Sequence, residues 1–219
     1  MTLKKFIAAA VIAFAGLGGA MAEQGDFYIG ARAQYSMLSF SEEFSTNLGP
    51  DLTEKYFYTS IPEVGFDLVA GYQFVAKWRA ELNYGQAGRY VVNDEEDDDN
   101  TRWLLYTRYL MANALYTAWT EDSFNVYVGG GIGAAFMKAR MVSDDSDFNY
   151  RIGKTRIAGQ FIAGISQGIT DWLTLDAQFR VMYNDGLTER FDIGGGYYFD
   201  VKTGDVLTSS LMLGARVVF

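Results

Sequence analysis

Apolar residues alternate with polar or small ones at every second position along eight separate segments of the chain. Successive side chains of a β-strand point to opposite faces of the sheet, so this period predicts strands with one apolar face. The segments cover residues 26–40, 62–75, 77–85, 102–119, 124–140, 155–169, 172–184 and 209–219. The chain also has 24 Gly, 15 Tyr and 16 Phe but only 2 Pro, which favours an all-β fold with tight turns.

The connections between these segments alternate in length. Short turns are predicted around Ala76, around Glu121 and Asp122, and around Thr170 and Asp171. The long connections cover roughly residues 41–60, 91–101, 142–153 and 185–205. Such sorting is typical of outer-membrane barrels, whose short turns face the periplasm, and a sheet in lipid must close because an open edge is not tolerated. The prediction is an all-β, eight-stranded antiparallel up-and-down transmembrane β-barrel with short periplasmic turns and long extracellular loops.

Two details of this barrel stay open at the level of sequence. Segment 185–205 could be a hairpin that extends past the membrane, or an added strand pair that makes ten strands; its weak alternation favours eight. Arg108 has the parity of the outward face, where an arginine costs about 2–4 kcal/mol at the bilayer midplane and little near the interface. Either Arg108 lies near the interface, or a bulge shifts the register around it.

The first 22 residues have the pattern of a cleaved signal peptide. A basic start, MTLKK, precedes the apolar stretch FIAAAVIAFAGLGGA, and Ala20-Met21-Ala22 provides a small-x-small cleavage site. Cleavage would leave a barrel domain over residues 23–219. It would also remove Lys4 and Lys5, which changes the formal net charge from -9 to -11. The chain is therefore expected to be exported, with the cell outer membrane as its destination.

Charged residues of both signs fall on the inward face of the predicted strands. The set comprises Arg32, Glu63, Asp67, Arg79, Glu81, Asp176, Arg180 and Arg216. Side chains fill the interior of an eight-stranded barrel, so we interpret this set as a packed ion-pair network rather than a water-filled pore. Glycines on the opposite wall, such as Gly131 and Gly164, could leave space for the long side chains or could only allow the sheet to bend.

Three tryptophans lie beside the three short turns. They are Trp78, Trp119 and Trp172, and together they predict an aromatic belt at the periplasmic interface of the membrane. Ordinary core tryptophans are the alternative interpretation of the same pattern.

The segments LMANALY, VYVGGGIGAAF and FIAGISQGITDWLTLDAQFR resemble the small eight-stranded OmpA-like and opacity-type family of outer-membrane surface proteins. The closing stretch LMLGARVVF resembles the C-terminal signal that the barrel assembly machinery recognises. That resemblance implies an assembly signal formed by Leu213, Ala215, Val217 and Phe219. The family implies a structural or surface-antigen role, with adhesion through the extracellular loops.

The chain has no histidine and no cysteine, which argues against catalysis. Enzymes on related barrels resemble one another in relying on a histidine, the side chain best suited to acid–base work near neutral pH. The inward carboxylates have arginines near them that would satisfy them. We therefore expect neither an enzyme nor a bound cofactor.

The long loops carry the remaining functional candidates. Loop two has six consecutive acids, Asp94, Glu95, Glu96, Asp97, Asp98 and Asp99. They are weak candidates for Ca²⁺ or Mg²⁺ binding, and solvated loop tips are the simpler interpretation. Lys138, Arg140, Lys154 and Arg156 flank the third loop and could contact lipopolysaccharide phosphates.

The partners expected from the sequence are therefore outer-membrane lipid with lipopolysaccharide, the barrel assembly machinery, and a host or cell-surface ligand of the loops. No nucleic acid is expected. Two functions outside the surface-protein class stay open: a small ion- or solute-conducting pore, and a soluble periplasmic lipocalin-like carrier.

Overall fold

A computed structural model describes residues 25–46, 54–59, 62–93, 102–142, 149–186 and 188–219. These residues form eleven strands and contain no helix long and apolar enough to cross a membrane. The strands are β1 (Phe27–Thr46), β2 (Glu54–Thr59), β3 (Glu63–Val75), β4 (Trp78–Asn93), β5 (Arg102–Glu121), β6 (Phe124–Val142), β7 (Asn149–Gly168), β8 (Leu173–Asn184), β9 (Thr188–Gly194), β10 (Tyr197–Thr203) and β11 (Val206–Val218).

Eight of these strands close into one antiparallel barrel. Neighbours pair in the order β1, β3, β4, β5, β6, β7, β8 and β11. Strand β11 then pairs with β1 from Tyr28↔Val218 to Ser39↔Leu207, which closes the ring and leaves no open edge along these strands. The predicted eight-stranded antiparallel β-barrel is confirmed.

The barrel wall has its apolar face outside and its polar face inside. On β3, Phe66 and Leu68 expose 43% and 49% of their surface, whereas Asp67 between them is fully buried. Charged groups avoid burial in an ordinary protein core unless they are paired. The inverted distribution is the one expected when the outer wall faces lipid and the lumen holds the polar side chains.

Three tight turns join strands at one end of the barrel, as the sequence predicts. Ala76 and Lys77 connect β3 to β4, Asp122 and Ser123 connect β5 to β6, and residues 169–172 connect β7 to β8. Asp122 has φ of 50°, a left-handed conformation that aspartate tolerates better than most residues in a tight turn. The long connections leave from the opposite end.

The three remaining strands belong to the connections at that opposite end. Strands β9 and β10 form a hairpin, and β10 pairs with the outer part of β1 from Glu42↔Thr203 to Thr46↔Phe199. Strand β2 also pairs with β1, from Ser39↔Thr59 to Phe44↔Glu54. Segment 185–205 is thus a hairpin that extends the sheet beyond the barrel, and the choice between eight and ten strands is settled at eight.

Candidate functional site

Seven of the eight charged residues predicted inside the barrel are almost completely buried there. They are Arg32, Asp67, Arg79, Glu81, Asp176, Arg180 and Arg216, none of which exposes more than 4% of its surface. We call these seven residues the lumen cluster. Glu63, the eighth, is half-buried near the outer end of β3 and takes part in none of the contacts described next.

Arg32 joins three neighbouring strands at the centre of the lumen cluster. Its guanidinium donates to Asp67 on β3 at 3.0 Å and to both carboxylate oxygens of Glu81 on β4 at 3.2 Å. Arg79 lies one inward position below Glu81 and contacts the same carboxylate at 3.4 Å. Two arginines therefore share one glutamate, because antiparallel pairing brings the inward residues of β1, β3 and β4 close together.

The other side of the ring contributes the remaining charges. Arg216 on β11 lies 3.0 Å from Asp176 on β8, the strand next to it. Arg180, two inward positions above Asp176, reaches Asp67 across the lumen at 3.8 Å. Asp67 is thus the residue that connects the two halves of the lumen cluster. The cluster holds four arginines and three carboxylates, one positive charge in excess.

Three tyrosines, which the sequence analysis did not single out, contact the charged groups of the lumen cluster. Tyr28 donates to Glu81 at 2.8 Å, and Tyr109 contacts Asp67 at 3.1 Å. The arginines lie over the tyrosine rings, with Arg79 4.1 Å from the centroid of Tyr127 and Arg180 4.3 Å from that of Tyr109. Such cation–π contacts are stronger when water is excluded, so they help to satisfy the surplus positive charge.

The glycines of the wall receive these aromatic rings and other neighbouring side chains. A Cβ atom on Gly71 would overlap the ring of Tyr28, and one on Gly164 would overlap the ring of Tyr127. A Cβ on Gly131 would overlap Asn113. The space beside the glycines is therefore filled from adjacent strands, not by charged side chains that cross from the opposite wall as the sequence analysis considered.

A row of amides extends the polar network to β5 and β7, which contribute no charge to the lumen cluster. Asn83 donates to Asp67 at 2.8 Å, and Asn113 donates to Asn83 at 2.8 Å. Gln160 on β7 in turn donates to Asn113. Amides both donate and accept, so this row connects the carboxylate of β3 to the far wall without adding charge. Inward parity on β4, β5 and β7 is the sequence signal that marks these residues.

The outer part of the lumen combines buried apolar residues with a few buried polar ones, such as Asn184 and Thr208. A continuous group of buried residues lies there, with exposures of at most 1%. We call it the apolar layer; its members are Leu38, Ala87, Tyr109, Met111, Ala135, Met137, Ala158, Met182 and Val206. Methionine side chains adapt to irregular spaces, which suits the filling of a narrow tapering interior. The lumen therefore contains two successive groups of buried side chains, the lumen cluster below and the apolar layer above.

The outer wall carries large apolar side chains around the ring. Ile132 on β6 and Ile157 on β7 expose 73% and 78% of their surface. Trp78, Trp119 and Trp172 expose about half of theirs, and each lies beside one of the three tight turns. An exposed apolar surface of this extent requires a cover, and a ring of amphipathic indoles at one end fits a membrane interface.

No protein-family model and no curated protein sequence matches the chain. Several solved structures are similar. The outer membrane protein OprG from Pseudomonas aeruginosa has a TM-score of 0.52 and 15% identity, over 93% of this chain and 99% of that chain. Outer membrane protein AlkL, solved in DMPC bilayers, has a TM-score of 0.51 and 18% identity, over 92% and 93%. Neisserial surface protein A has a TM-score of 0.50 and 20% identity, over 89% and 99%.

The chain has the fold of the small eight-stranded outer-membrane β-barrels. The resemblance expected from the sequence is confirmed at the level of the fold. At these identities the likeness concerns architecture, so the function of this barrel has to be argued from its own residues.

The end of the barrel chain lies inside the closing ladder. The main-chain N–H of Phe219 donates to the carbonyl of Phe27 at 2.8 Å, and that of Val218 donates to the carbonyl of Trp172 at 2.9 Å. The four residues of the expected assembly signal occupy every second position from Leu213 on β11 to Phe219, which directly follows β11. Leu213 and Phe219 are exposed on the outer wall, whereas Ala215 and Val217 are half-buried.

The acidic residues of the second loop lie outside the described residues. Asp94, Glu95, Glu96, Asp97, Asp98 and Asp99 are among them. Within the described part of the chain, no group of three or more carboxylates could hold a metal ion. Of the four cations that flank the third loop, Lys138 is exposed on the outer face. Lys154 and Arg156 are half-buried on the alternate face of the wall. The side chain of Arg140 lies outside the description.

Proposed function

We propose that the chain is an exported, integral outer-membrane protein whose barrel is closed to ions and solutes and serves as a rigid base for surface loops. The role is structural or surface-antigen-like, with adhesion through the extracellular loops. The single observation that carries this proposal is the filled lumen. A buried charge cluster and an apolar layer occupy the interior one above the other, while the outer wall is apolar.

The partners follow from the same arrangement. Lipid would cover the outer wall, with lipopolysaccharide at the end from which the loops leave. The barrel assembly machinery would recognise the strand that ends in Phe219, and a cell-surface ligand would meet the loops. Residues 1–22 would serve for export. Catalysis and a bound cofactor have no place in this proposal.

Electrical measurement in planar bilayers tests the closed lumen. The mature chain is refolded into lipid, and its compact unheated migration on a gel shows that the barrel has formed. We expect no single-channel current, with a general porin in the same bilayer as the positive control. Steady currents from the intact chain that change in Glu81→Gln would overturn the proposal and support the small conducting pore.

A soluble lipocalin-like carrier makes the opposite prediction for cell fractionation. A carrier hides its apolar residues inside and would remain in the periplasmic fraction, whereas exposed residues such as Ile157 and Phe161 need lipid around them. We expect the protein only in the detergent-extracted outer membrane. Protease added to intact cells should cut within the loops and leave the barrel, which would support surface display.

A further inference from the structure

The outer wall carries two exposed cations on neighbouring strands, near the end from which the long loops leave. Arg108 on β5 is exposed and donates to Gln86 on β4 at 3.4 Å. Lys138 on β6 pairs with Tyr106, two residues further toward the loops. Both cations share the face of exposed apolar residues such as Leu110 and Phe136, which expose 42% and 38% of their surface.

The height of Arg108 above the ring formed by the three tryptophans places Arg108 at the outer edge of the apolar wall. Trp78 pairs with Tyr116, and Arg108 lies eight residues from Tyr116 on β5. With about 3.3 Å per residue and a tilt of about 40°, that distance is about 20 Å along the barrel axis. The apolar band of such barrels is about 25 Å tall, so Arg108 lies close to its boundary and Lys138 about 5 Å beyond.

The open question about Arg108 is thereby answered in favour of the interface. The strand register is irregular opposite Arg108, but the irregularity belongs to β4, between Gln86 and Arg89. Strand β5 pairs with β6 without interruption from Arg102 to Thr117, so Arg108 keeps its outward parity. An outward arginine at this height extends its guanidinium toward the headgroups, at a small cost in free energy.

The described charges at this end of the barrel are unevenly distributed around the ring. Arg108 and Lys138 lie on β5 and β6, and no described carboxylate forms an ion pair with either of them. The exposed acids Asp185 and Asp205 lie on the other side, at the ends of β8 and β11. Space is open next to Lys138, since a Cβ on Gly153 would meet only the Lys138 side chain and the Met137 carbonyl, near 4 Å.

We propose that Arg108 and Lys138, with Gln86, form a binding site for the phosphate groups of a lipid in the outer leaflet. Guanidinium and ammonium groups bind phosphate by charge-assisted hydrogen bonds, and an amide can donate to the same oxygens. The apolar residues below the cations would contact the acyl chains of the same lipid. This inference rests on the proposed membrane location and adds a specific lipid site to it.

The test uses the refolded full barrel in mixed micelles with a diphosphorylated glycolipid of the lipid A type. The same glycolipid without its phosphates and inorganic phosphate alone are the comparison ligands. Thermal unfolding is followed by the gel shift between compact and unfolded forms. We expect the phosphorylated lipid to raise the transition temperature, and the two comparison ligands to have no such effect.

The variant Arg108→Gln/Lys138→Gln should lose this response. Each cation near a charged lipid surface contributes about 1 kcal/mol, so the apparent affinity for the phosphorylated lipid should fall about 30-fold. Lys154→Gln is the matched control, because Lys154 pairs with the buried Met137 at the same height but has the opposite parity. It should respond as the original chain does.

Two results with the glycolipids would overturn the lipid site. One is an undiminished response in the double variant, and the other is an equal response to the dephosphorylated lipid. In both, compact migration before heating would show that the barrel still forms, so the proposed outer-membrane location would stand. A response to inorganic phosphate alone would replace the lipid by the free anion as the ligand and also overturn the proposal.

Discussion

At the scale of single residues, Asp67 is the carboxylate that connects the two halves of the lumen cluster. Asp67 is fully buried and accepts hydrogen bonds from Arg32, Asn83 and Tyr109, with Arg180 also close by. Burial of a carboxylate is costly, and this set of donors offsets that cost. If the charge of Asp67 is removed, Arg180 loses the carboxylate near it, and Arg32 keeps only Glu81.

We expect Asp67→Asn to lower the free energy of unfolding by about 3–5 kcal/mol, the usual cost of removing one partner of a buried ion pair. The amide has nearly the same shape, so loss of charge rather than a cavity would cause the effect. Urea unfolding of the barrel in lipid measures it. Glu63→Gln is the control, since Glu63 lies outside the lumen cluster and should change little. Equal stability of Asp67→Asn and the original chain would contradict the network.

Glycine in the wall has a second, steric role at the residue scale. Gly71→Ala places a Cβ inside the ring of Tyr28, which cannot move without losing its bond to Glu81. We expect a loss of about 1–3 kcal/mol from overpacking, measured by the same urea unfolding. Gly159→Ala is the matched control, because nothing lies within 4 Å of the added Cβ. If both variants behave alike, Gly71 serves only sheet curvature.

At the scale of elements, the β9–β10 hairpin carries an ion pair outside the barrel, in addition to its backbone ladder. The guanidinium of Arg190 binds both carboxylate oxygens of Asp200 at 2.8 Å, and it lies 3.9 Å from the ring centroid of Tyr198. The hydrogen bonds from Arg190 lower the pKa of Asp200 below its ordinary value of 3.8. The ionised Asp200 therefore stabilises the hairpin fully at a pH above the ordinary pKa. This stabilisation is lost as the pH falls through the lowered pKa of Asp200.

Acid should consequently loosen this hairpin before it affects the barrel. We expect the amide protection of β9 and β10 to fall below about pH 4, after correction for intrinsic exchange, while the protection of β5 and β6 stays constant. Asp200→Asn should show weak protection at every pH, because its side chain does not titrate. Hydrogen exchange with mass spectrometry measures both chains. An identical pH profile in the two would contradict the role of Asp200.

At the scale of the whole molecule, closure of the barrel pairs the strand edges, and the inward side chains occupy the lumen. The β1–β11 ladder removes the free edges, which could not exist in lipid. The lumen cluster and the apolar layer then occupy the interior that closure creates. The outer surface remains apolar, and the longest strands of the ring have 20 residues.

Deletion of Phe219 separates assembly from stability in the whole barrel. Phe219 exposes 71% of its surface and contributes a single main-chain bond to the ladder, so the refolded variant should lose at most about 1 kcal/mol. In cells, its level in the outer membrane should fall severalfold if the assembly machinery recognises this residue. Phe219→Tyr should assemble normally. An unchanged cellular level after deletion would contradict the assembly signal.

The period of two was sufficient to predict the eight strands of the barrel and the side on which the lumen residues lie. Parity is a local property of an extended chain, so it follows from the order of residues alone. That is why the burial of Arg32, Glu81 and Arg180 matches the parity of the sequence. The alternation of short and long connections likewise indicated which end of the barrel carries the loops.

Which inward residues meet was decided only by the tertiary structure. The tilt and stagger of the closed barrel determine the height of each strand relative to those across the lumen. They bring Arg180 of β8 to Tyr109 of β5 at 2.8 Å, leave Glu63 outside the cluster, and set β10 against the outer part of β1. The sequence determined the faces of the strands because parity is a local property. The contacts between inward residues across the lumen were determined by closure of the barrel, because the stagger is a property of the whole ring.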